Sequence, residues 1–204
     1  FYPDTAIVPY TKVVFERAVV EVMRGCTRGC RFCQAGMIYR PVRERSVEVL
    51  KKQVAQLIEN TGYEEISLSS LSTGDYSCIQ QLISELVQEY EGQGVSVALP
   101  SLRVDSFSVK LAEQIQKVRK SGITFAPEAG TQRLRDVINK NVTEADLYDA
   151  VESAFQVGWH QVKLYFMIGL PTEEFADLDG IVSIAKNALE IGWKYHQKGR
   201  RKPT

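Results

Sequence analysis

Three cysteines stand in one short stretch, Arg24-Gly25-Cys26-Thr27-Arg28-Gly29-Cys30-Arg31-Phe32-Cys33-Gln34, with the spacing C-x3-C-x2-C. Cysteine thiolates on short loops are the ligands of iron–sulfur clusters. Cys26, Cys30 and Cys33 can hold three irons of a 4Fe–4S cubane and leave the fourth iron without a protein ligand, open to a substrate or cofactor. Closely spaced cysteines also bind zinc, and a structural zinc site wants four ligands. The remaining cysteine is Cys78, and neither His160 nor His196 lies near the loop in sequence. Spacing alone leaves both metals open. Gly25 and Gly29 let the loop wrap closely round an inorganic ion. Arg24, Arg28 and Arg31 either offset the charge of thiolates and metal or are simply solvated.

The elements that must position this loop follow from composition and pattern. At 204 residues the chain suits one domain with a sizeable core. Its 25 basic and 25 acidic residues balance to +0, so electrostatics give no indication of a nucleic-acid partner. No apolar run is long enough to span a bilayer. The chain opens on Phe1-Tyr2-Pro3-Asp4, with no initiator methionine and no secretory leader, and reads as a piece of a longer protein. Four cysteines, three of them clustered, argue for a reducing compartment, hence the cytoplasm.

Strand and helix patterns alternate five times. Expected strands are Ala18–Met23, Glu65–Ser69, Val95–Leu99, Ile123–Ala126 and Gln161–Ile168. Helices are expected over Val47–Asn60, Cys78–Glu91, Ser108–Lys120, from the Thr143–Asp146 capping-box pattern to Val157, and over Phe175–Ile191. In the last of these Leu178, Ile181, Val182, Ala185 and Leu189 are expected to face the core. Such alternation means βαβ units, right-handed crossovers and a parallel sheet. The chemical signals all follow strands, as at the mouth of a (β/α) barrel; a flavodoxin-like open sheet is the alternative arrangement. The expected division is a lead-in over residues 1–17, a core over 18–195 and a polar, basic tail over 196–204.

The C-x3-C-x2-C loop with Phe32 before its last cysteine resembles the radical S-adenosylmethionine (radical SAM) superfamily. So do the segments LPSLRVDSFS, TFAPEAGTQRLRDVINK and KLYFMIGLPTE, and the likeness runs over nearly the whole chain. They look like a subgroup whose core is similar to those of the methylthiotransferases and the oxygen-independent coproporphyrinogen oxidase. The resemblance implies an α/β fold, a partial (β/α) barrel of the radical SAM type, with five parallel strands present and the sixth beyond the tail. It implies a 4Fe–4S cluster on Cys26, Cys30 and Cys33, with SAM on the open iron. It implies reductive cleavage of SAM to a 5′-deoxyadenosyl radical that attacks a substrate not named by the sequence. An electron donor such as a flavodoxin or ferredoxin is implied as partner, and cobalamin is implied for the longer parent protein.

The same resemblance distributes roles over the other strand ends. Phe32 stands at the aromatic position whose main chain contacts adenine, or packs over the cluster. Ser69 and Ser70 begin the segment Ser69–Asp75, which corresponds to the stretch that binds the SAM amino group; the bland reading is a strand-to-helix loop capped by Asp75 or Ser77. Arg103 stands where relatives bind ribose or substrate. Glu128, beside Pro127 and Gly130, is expected to hydrogen-bond SAM and to lie within one residue's reach of the cysteine loop. Lys140 falls where an arginine pairs with the SAM carboxylate, or serves as a helix C-terminal charge. Ile168 marks the fifth-strand end that contacts adenine. Cys78 and His160 read as structural. Two other classes of function remain: a zinc- or cluster-stabilised binding module without catalysis, and a tRNA-modifying enzyme like the methylthiotransferases.

Overall fold

The computed structural model describes residues 3, 5–98, 103–106, 109, 113, 123–197 and 201–204. Alternating burial forms the first strand, β1 (Ala18–Glu21): Ala18 and Val20 face the core while Val19 is exposed. β1 continues into a two-residue hairpin arm, β2 (Met23–Arg24), paired antiparallel with β3 (Arg43–Glu44). β4 (Glu65–Ser69) lies between β1 and β5 (Ser96–Ala98), parallel to both, in register Ala18↔Ile66 and Ile66↔Val97. A strand covered on both faces is apolar without alternation, and Ile66, Ser67 and Leu68 are all buried. β6 (Ile123–Glu128) and β7 (Val162–Phe166) form a second parallel pair. Among the described residues no ladder joins β5 to β6, and the sheet there is a partial, unclosed barrel.

Helices cover the outside. α1 (Ala35–Ile38) is a single turn after the cysteines. α2 (Val47–Thr61) starts where the Ser46 hydroxyl accepts from the Val49 amide and stops at Gly62, φ 70°. α3 (Ile79–Tyr90) buries Leu82, Ile83 and Leu86. α4 (Gln132–Val137) is capped by Thr131, and α5 (Glu144–Val157) by the expected Thr143–Asp146 capping box. Of the expected helix over Ser108–Lys120 residues 109 and 113 are described, both helical, and the rest lies outside the described residues.

The last helix, α6 (Phe175–Lys194), sits differently from its expected orientation. Asp177, Ile184, Ala188 and Gly192 are its buried residues, while Val182, Ala185 and Leu189 are exposed. Close backbone approaches set this rotation. A Cβ on Gly130 would lie 2.1 Å from the Asp177 carbonyl oxygen and 2.5 Å from the Ile181 nitrogen. Gly130 therefore lets a helix touch the strand-end loop. At the other end, a Cβ on Gly192 would lie 2.7 Å from the Pro203 side chain.

Two details of β6 and β7 bear on the site. Ala126 and Pro127 together oppose Tyr165 alone, because Phe125 pairs with Leu164 and Glu128 with Phe166. Pro127 has no amide hydrogen to give the ladder, so the extra residue forms a bulge there. The bulge leaves Glu128 in the left-handed region, φ 70°. The outer edge of β7 is met by the tail: Val162 N donates to Thr204 O at 2.9 Å and Thr204 N to His160 O at 2.9 Å. A small apolar cluster of Ala129, Leu134, Ile138 and Leu170 holds this end together, separate from the main core.

Gly130→Ala should force α6 off the β6 loop, since both clashing atoms are backbone. Overpacking of this kind costs about 1–3 kcal/mol. Urea unfolding should show a lower midpoint at unchanged slope, and an unchanged midpoint would contradict the close approach.

Candidate functional site

The cysteine loop has little regular structure of its own and is fixed from outside. Gly25 carries φ 93°, and a Cβ there would lie 2.2 Å from the Tyr39 carbonyl oxygen and 2.8 Å from that of Pro41, so only glycine lets the entering and leaving chain cross. Within the loop the Cys33 amide donates to Cys30 O at 3.0 Å, and the Arg28 amide to Cys26 Sγ at 3.5 Å. Cys30 is buried, Cys26 and Cys33 are half-buried, and all are free thiols.

The short helix α4 grips the loop by its C-terminal end. The Arg31 amide donates to Ile138 O at 2.9 Å, the Arg31 guanidinium donates to Val137 O, and Asn139 Nδ2 donates to Gly29 O at 2.8 Å. Carbonyls at a helix C-terminus lack intrahelical donors and carry partial negative charge, so a cationic donor suits them.

Arg28 ties the same loop to the other strand ends. Its Nε donates to Asp75 Oδ2 at 2.8 Å, Nη2 donates to Asp75 Oδ1, and Nη1 lies 3.0 Å from Asp105 Oδ2. Asp75 follows β4 and Asp105 follows β5. Each aspartate has a further partner: the Ser72 hydroxyl donates to Asp75 at 2.7 Å, and Arg103 Nε donates to Asp105 at 2.9 Å. The Asp75 hydrogen bond, with the charges of Asp105 and Cys26, holds the Arg28 guanidinium protonated above its ordinary range, against the opposing effect of burial. Asp75 thus belongs to this bridge, and neither it nor Ser77 caps α3. The residue preceding α3, Cys78, makes no side-chain cap and lies 3.8 Å (Sγ) from Ser77 Oγ.

Lys140 is the second hub. It is only 8% exposed, its Nζ donates to Glu128 Oε1 at 3.1 Å, and it lies 5.8 Å from the centroid of the Phe32 ring. Glu128 thus reaches the cysteine loop through one intervening side chain. Arg103 Nη2 donates to Lys140 O at 3.1 Å. Lys140 stands between Asn139 and Asn141, with φ 53° and 51°. Asparagine tolerates this left-handed backbone better than most residues. The two turns place a lysine under the loop where a continued helix would carry it away.

The remaining expected residues are at the mouth but engaged differently. The Ser69 carbonyl accepts from the Val22 amide at 3.0 Å. The Ser70 hydroxyl accepts from the Ser72 amide at 3.2 Å and shares a proton with Thr73 Oγ1 at 3.0 Å, so it shapes its own loop. Ile168 is 76% exposed beyond the end of β7, one residue after Met167, whose amide donates to Glu128 O at 2.7 Å. The structure therefore joins Phe32, Arg103, Glu128 and Lys140 to the cysteine loop, and places Ser69 and Ser70 at the end of β4 and Ile168 beyond the end of β7.

Sequence reasoning did not find the bridging by Arg28, Asp75 and Asp105, or the clasp by Asn139. Asn-Lys-Asn just after a short helix was a readable turn signal; the bridge across three loops had no local signal.

The donor set suits a cubane with one open iron. Three free thiols share one loop, held in shape by glycines and external donors, and in a cubane each would bind its own iron. Among the described residues no three His, Cys, Asp or Glu side chains converge to hold one metal ion.

The model of the Radical SAM superfamily matches residues 20–185. An uncharacterised protein of Methanocaldococcus jannaschii is 35% identical over 82% of this chain and 36% of its own length. TsrM from Kitasatospora setae, a radical S-adenosylmethionine methyltransferase solved with cobalamin and a [4Fe-4S] cluster bound, superposes with a TM-score of 0.67 at 12% identity, covering 82% of this chain and 34% of that one. OxsB, a cobalamin-dependent S-adenosylmethionine radical enzyme solved with aqua-cobalamin and S-adenosylmethionine bound, gives 0.64 at 16% identity, covering 85% and 26%. The chain spans well under half the length of the curated relatives it matches. No described helix is long and apolar enough to cross a membrane.

The bridge predicts a pH dependence. Burial raises the Asp75 carboxyl, but the hydrogen bonds from Arg28 and Ser72 and the Arg28 charge outweigh it, so it titrates below its ordinary 3.8. A depressed carboxyl contributes stability that is present above its unfolded value and lost as pH falls through its folded value. Unfolding free energy should therefore fall between about pH 5 and about pH 2 more steeply in the native protein than in Asp75→Asn. Parallel curves from denaturant titrations at each pH would contradict this.

Proposed function

The chain belongs to the radical SAM superfamily, and from that premise we propose that it is the core of an enzyme. It carries a 4Fe–4S cluster on Cys26, Cys30 and Cys33 and binds S-adenosylmethionine beside it. The observation that carries this reading is the contact chain from the cysteine loop through Phe32 and Lys140 to Glu128. When bound, the cluster and S-adenosylmethionine supply a 5′-deoxyadenosyl radical, by one-electron cleavage of the sulfonium C–S bond, to take a hydrogen atom from a substrate carbon.

The residues of the chain bind and orient. The amino-acid end of SAM is a zwitterion, and Glu128 with Lys140 is a matching pair of opposite charges. The Glu128 carboxylate accepts from the amino group or from ribose hydroxyls, and the Lys140 ammonium donates to the carboxylate. Lysine does this as a point charge and not as a fork. Arg103, spent on Asp105 and on the Lys140 carbonyl, holds that lysine in place. The exposed Ile168 and the Phe32 main chain border the adenine. Ser69 and Ser70 shape the loop against which the amino group lies.

An electron donor of the flavodoxin or ferredoxin type reduces the cluster. The two cobalamin-bound neighbours support cobalamin for the longer protein, and no residue of this chain is assigned to it. The substrate is defined here only as a carbon–hydrogen bond brought to the barrel mouth.

Two sets of variants test the reading. Cys26→Ala, Cys30→Ala and Cys33→Ala should each abolish cubane assembly under anaerobic reconstitution, with Cys78→Ala retaining about four irons per chain. Iron and sulfide analysis decides it, and loss of iron in the Cys78 variant alone would overturn the three-ligand site. Glu128→Asn keeps a residue that tolerates φ 70° and removes the charge. A charge-assisted hydrogen bond contributes about 1.5–3 kcal/mol, so SAM affinity should fall roughly ten- to a hundredfold with iron retained. Equal affinity in anaerobic titration would remove Glu128 from the SAM site.

A further inference from the structure

Arg28 occupies the interval between the first two cysteines, yet its side-chain hydrogen bonds and ion pairs go to two aspartates. One guanidinium reaches Asp75 on the loop after β4 and Asp105 on the loop after β5. The chain of contacts continues through Arg103 to the Lys140 carbonyl, and through the Lys140 side chain to Glu128. We propose that Arg28 is a positioning residue. It locks the cysteine loop to the two neighbouring strand-end loops, so that the mouth is assembled before metal is loaded and remains so while the cluster is built.

The chemistry of the groups supports this assignment over that of an ordinary surface ion pair. Isolated exposed pairs contribute little, because two mobile side chains must be ordered in water. Here the partners are already ordered: Asp75 accepts from Ser72 and Asp105 from Arg103. The Arg28, Asp75 and Asp105 side chains are 33%, 21% and 18% exposed, so all three are largely shielded. A planar fork can donate two parallel bonds to one carboxylate and a third to another, which a lysine cannot. Without the guanidinium, Asp75 would lose its charged donor, while Asp105 would keep only its pair with Arg103, and nothing charged would tie the two loops to the cysteines. The Arg28 amide also donates to Cys26 Sγ, so displacing this residue displaces a thiol.

The inference rests on the reading of the loop as a metal site, but its first test does not need metal. In metal-free protein, Arg28→Ala should raise amide exchange at least tenfold in peptides over residues 26–33 and 72–76. Peptides from α2 should keep native protection, showing that the fold survives. Arg28→Lys should not restore protection, whereas Asp75→Asn should loosen residues 72–76 alone. In reconstituted protein, iron should be lost to a chelator roughly tenfold faster from Arg28→Ala than from native protein. Native exchange rates in metal-free Arg28→Ala, or full rescue by lysine, would overturn the proposal. Failure of the native protein to take up iron would count against the metal reading alone, and the exchange result would still decide the role of Arg28.

Discussion

A loop that offers three thiols to a metal cannot spend its backbone on regular structure, so something else must hold it. In this protein that constraint is met by two cations of the loop itself. Arg31 binds the carbonyl end of α4, and Arg28 binds the aspartates after β4 and β5. Both are charge-assisted contacts, which are shorter and stronger than neutral ones; that of Arg28 is partly buried and that of Arg31 exposed. The arrangement of the barrel mouth follows. α4 must end beside the loop, and the loops after β4 and β5 must each bring an acid to it. The fold supplies this because parallel strands place all their C-terminal loops on one rim.

A second consequence is backbone strain concentrated on the β6 and β7 side. Glu128 and Thr172 both hold left-handed φ, 70° and 62°, although neither is a residue type that favours it. For a residue with a Cβ this costs roughly 1–2 kcal/mol. At Glu128 the bulge at Pro127 imposes the turn and the Lys140 ion pair, with the Met167 amide on the Glu128 carbonyl, holds it. At Thr172 Arg133 donates to both the carbonyl and the hydroxyl. Strain retained at the rim and held by specific contacts is the pattern of a preorganised binding site. Glycine at position 128 would relieve the backbone but would carry no carboxylate.

Much of this was legible in the sequence. The cysteine spacing, the strand–helix alternation and the Thr143–Asp146 cap are local patterns, and local patterns map onto local structure. The α/β barrel class followed from them, and the expectation that Glu128 stands one side chain from the cysteine loop is met through Lys140. What was not legible depends on backbone approach and long-range pairing. The inward face of α6 is set by glycine contacts at Gly130 and Gly192, so counting apolar residues turned Val182 and Leu189 the wrong way. The two readings of Arg28, charge balance or solvation, were both incomplete. Its partners lie 47 and 77 positions away, a separation no periodicity reports. Ser70 carried a ligand reading from the resemblance, whereas its hydroxyl serves the turn it sits in.

The central claim is that three thiolates leave one iron open and that S-adenosylmethionine takes it beside Lys140 and Glu128. Electron paramagnetic resonance of the anaerobically reconstituted, dithionite-reduced protein, recorded with and without S-adenosylmethionine, addresses that claim at the iron itself. The account predicts a changed cluster signal on addition of S-adenosylmethionine, with 5′-deoxyadenosine accumulating in the same sample. A reduced-cluster signal that stays the same at saturating S-adenosylmethionine, with no 5′-deoxyadenosine formed, would contradict it.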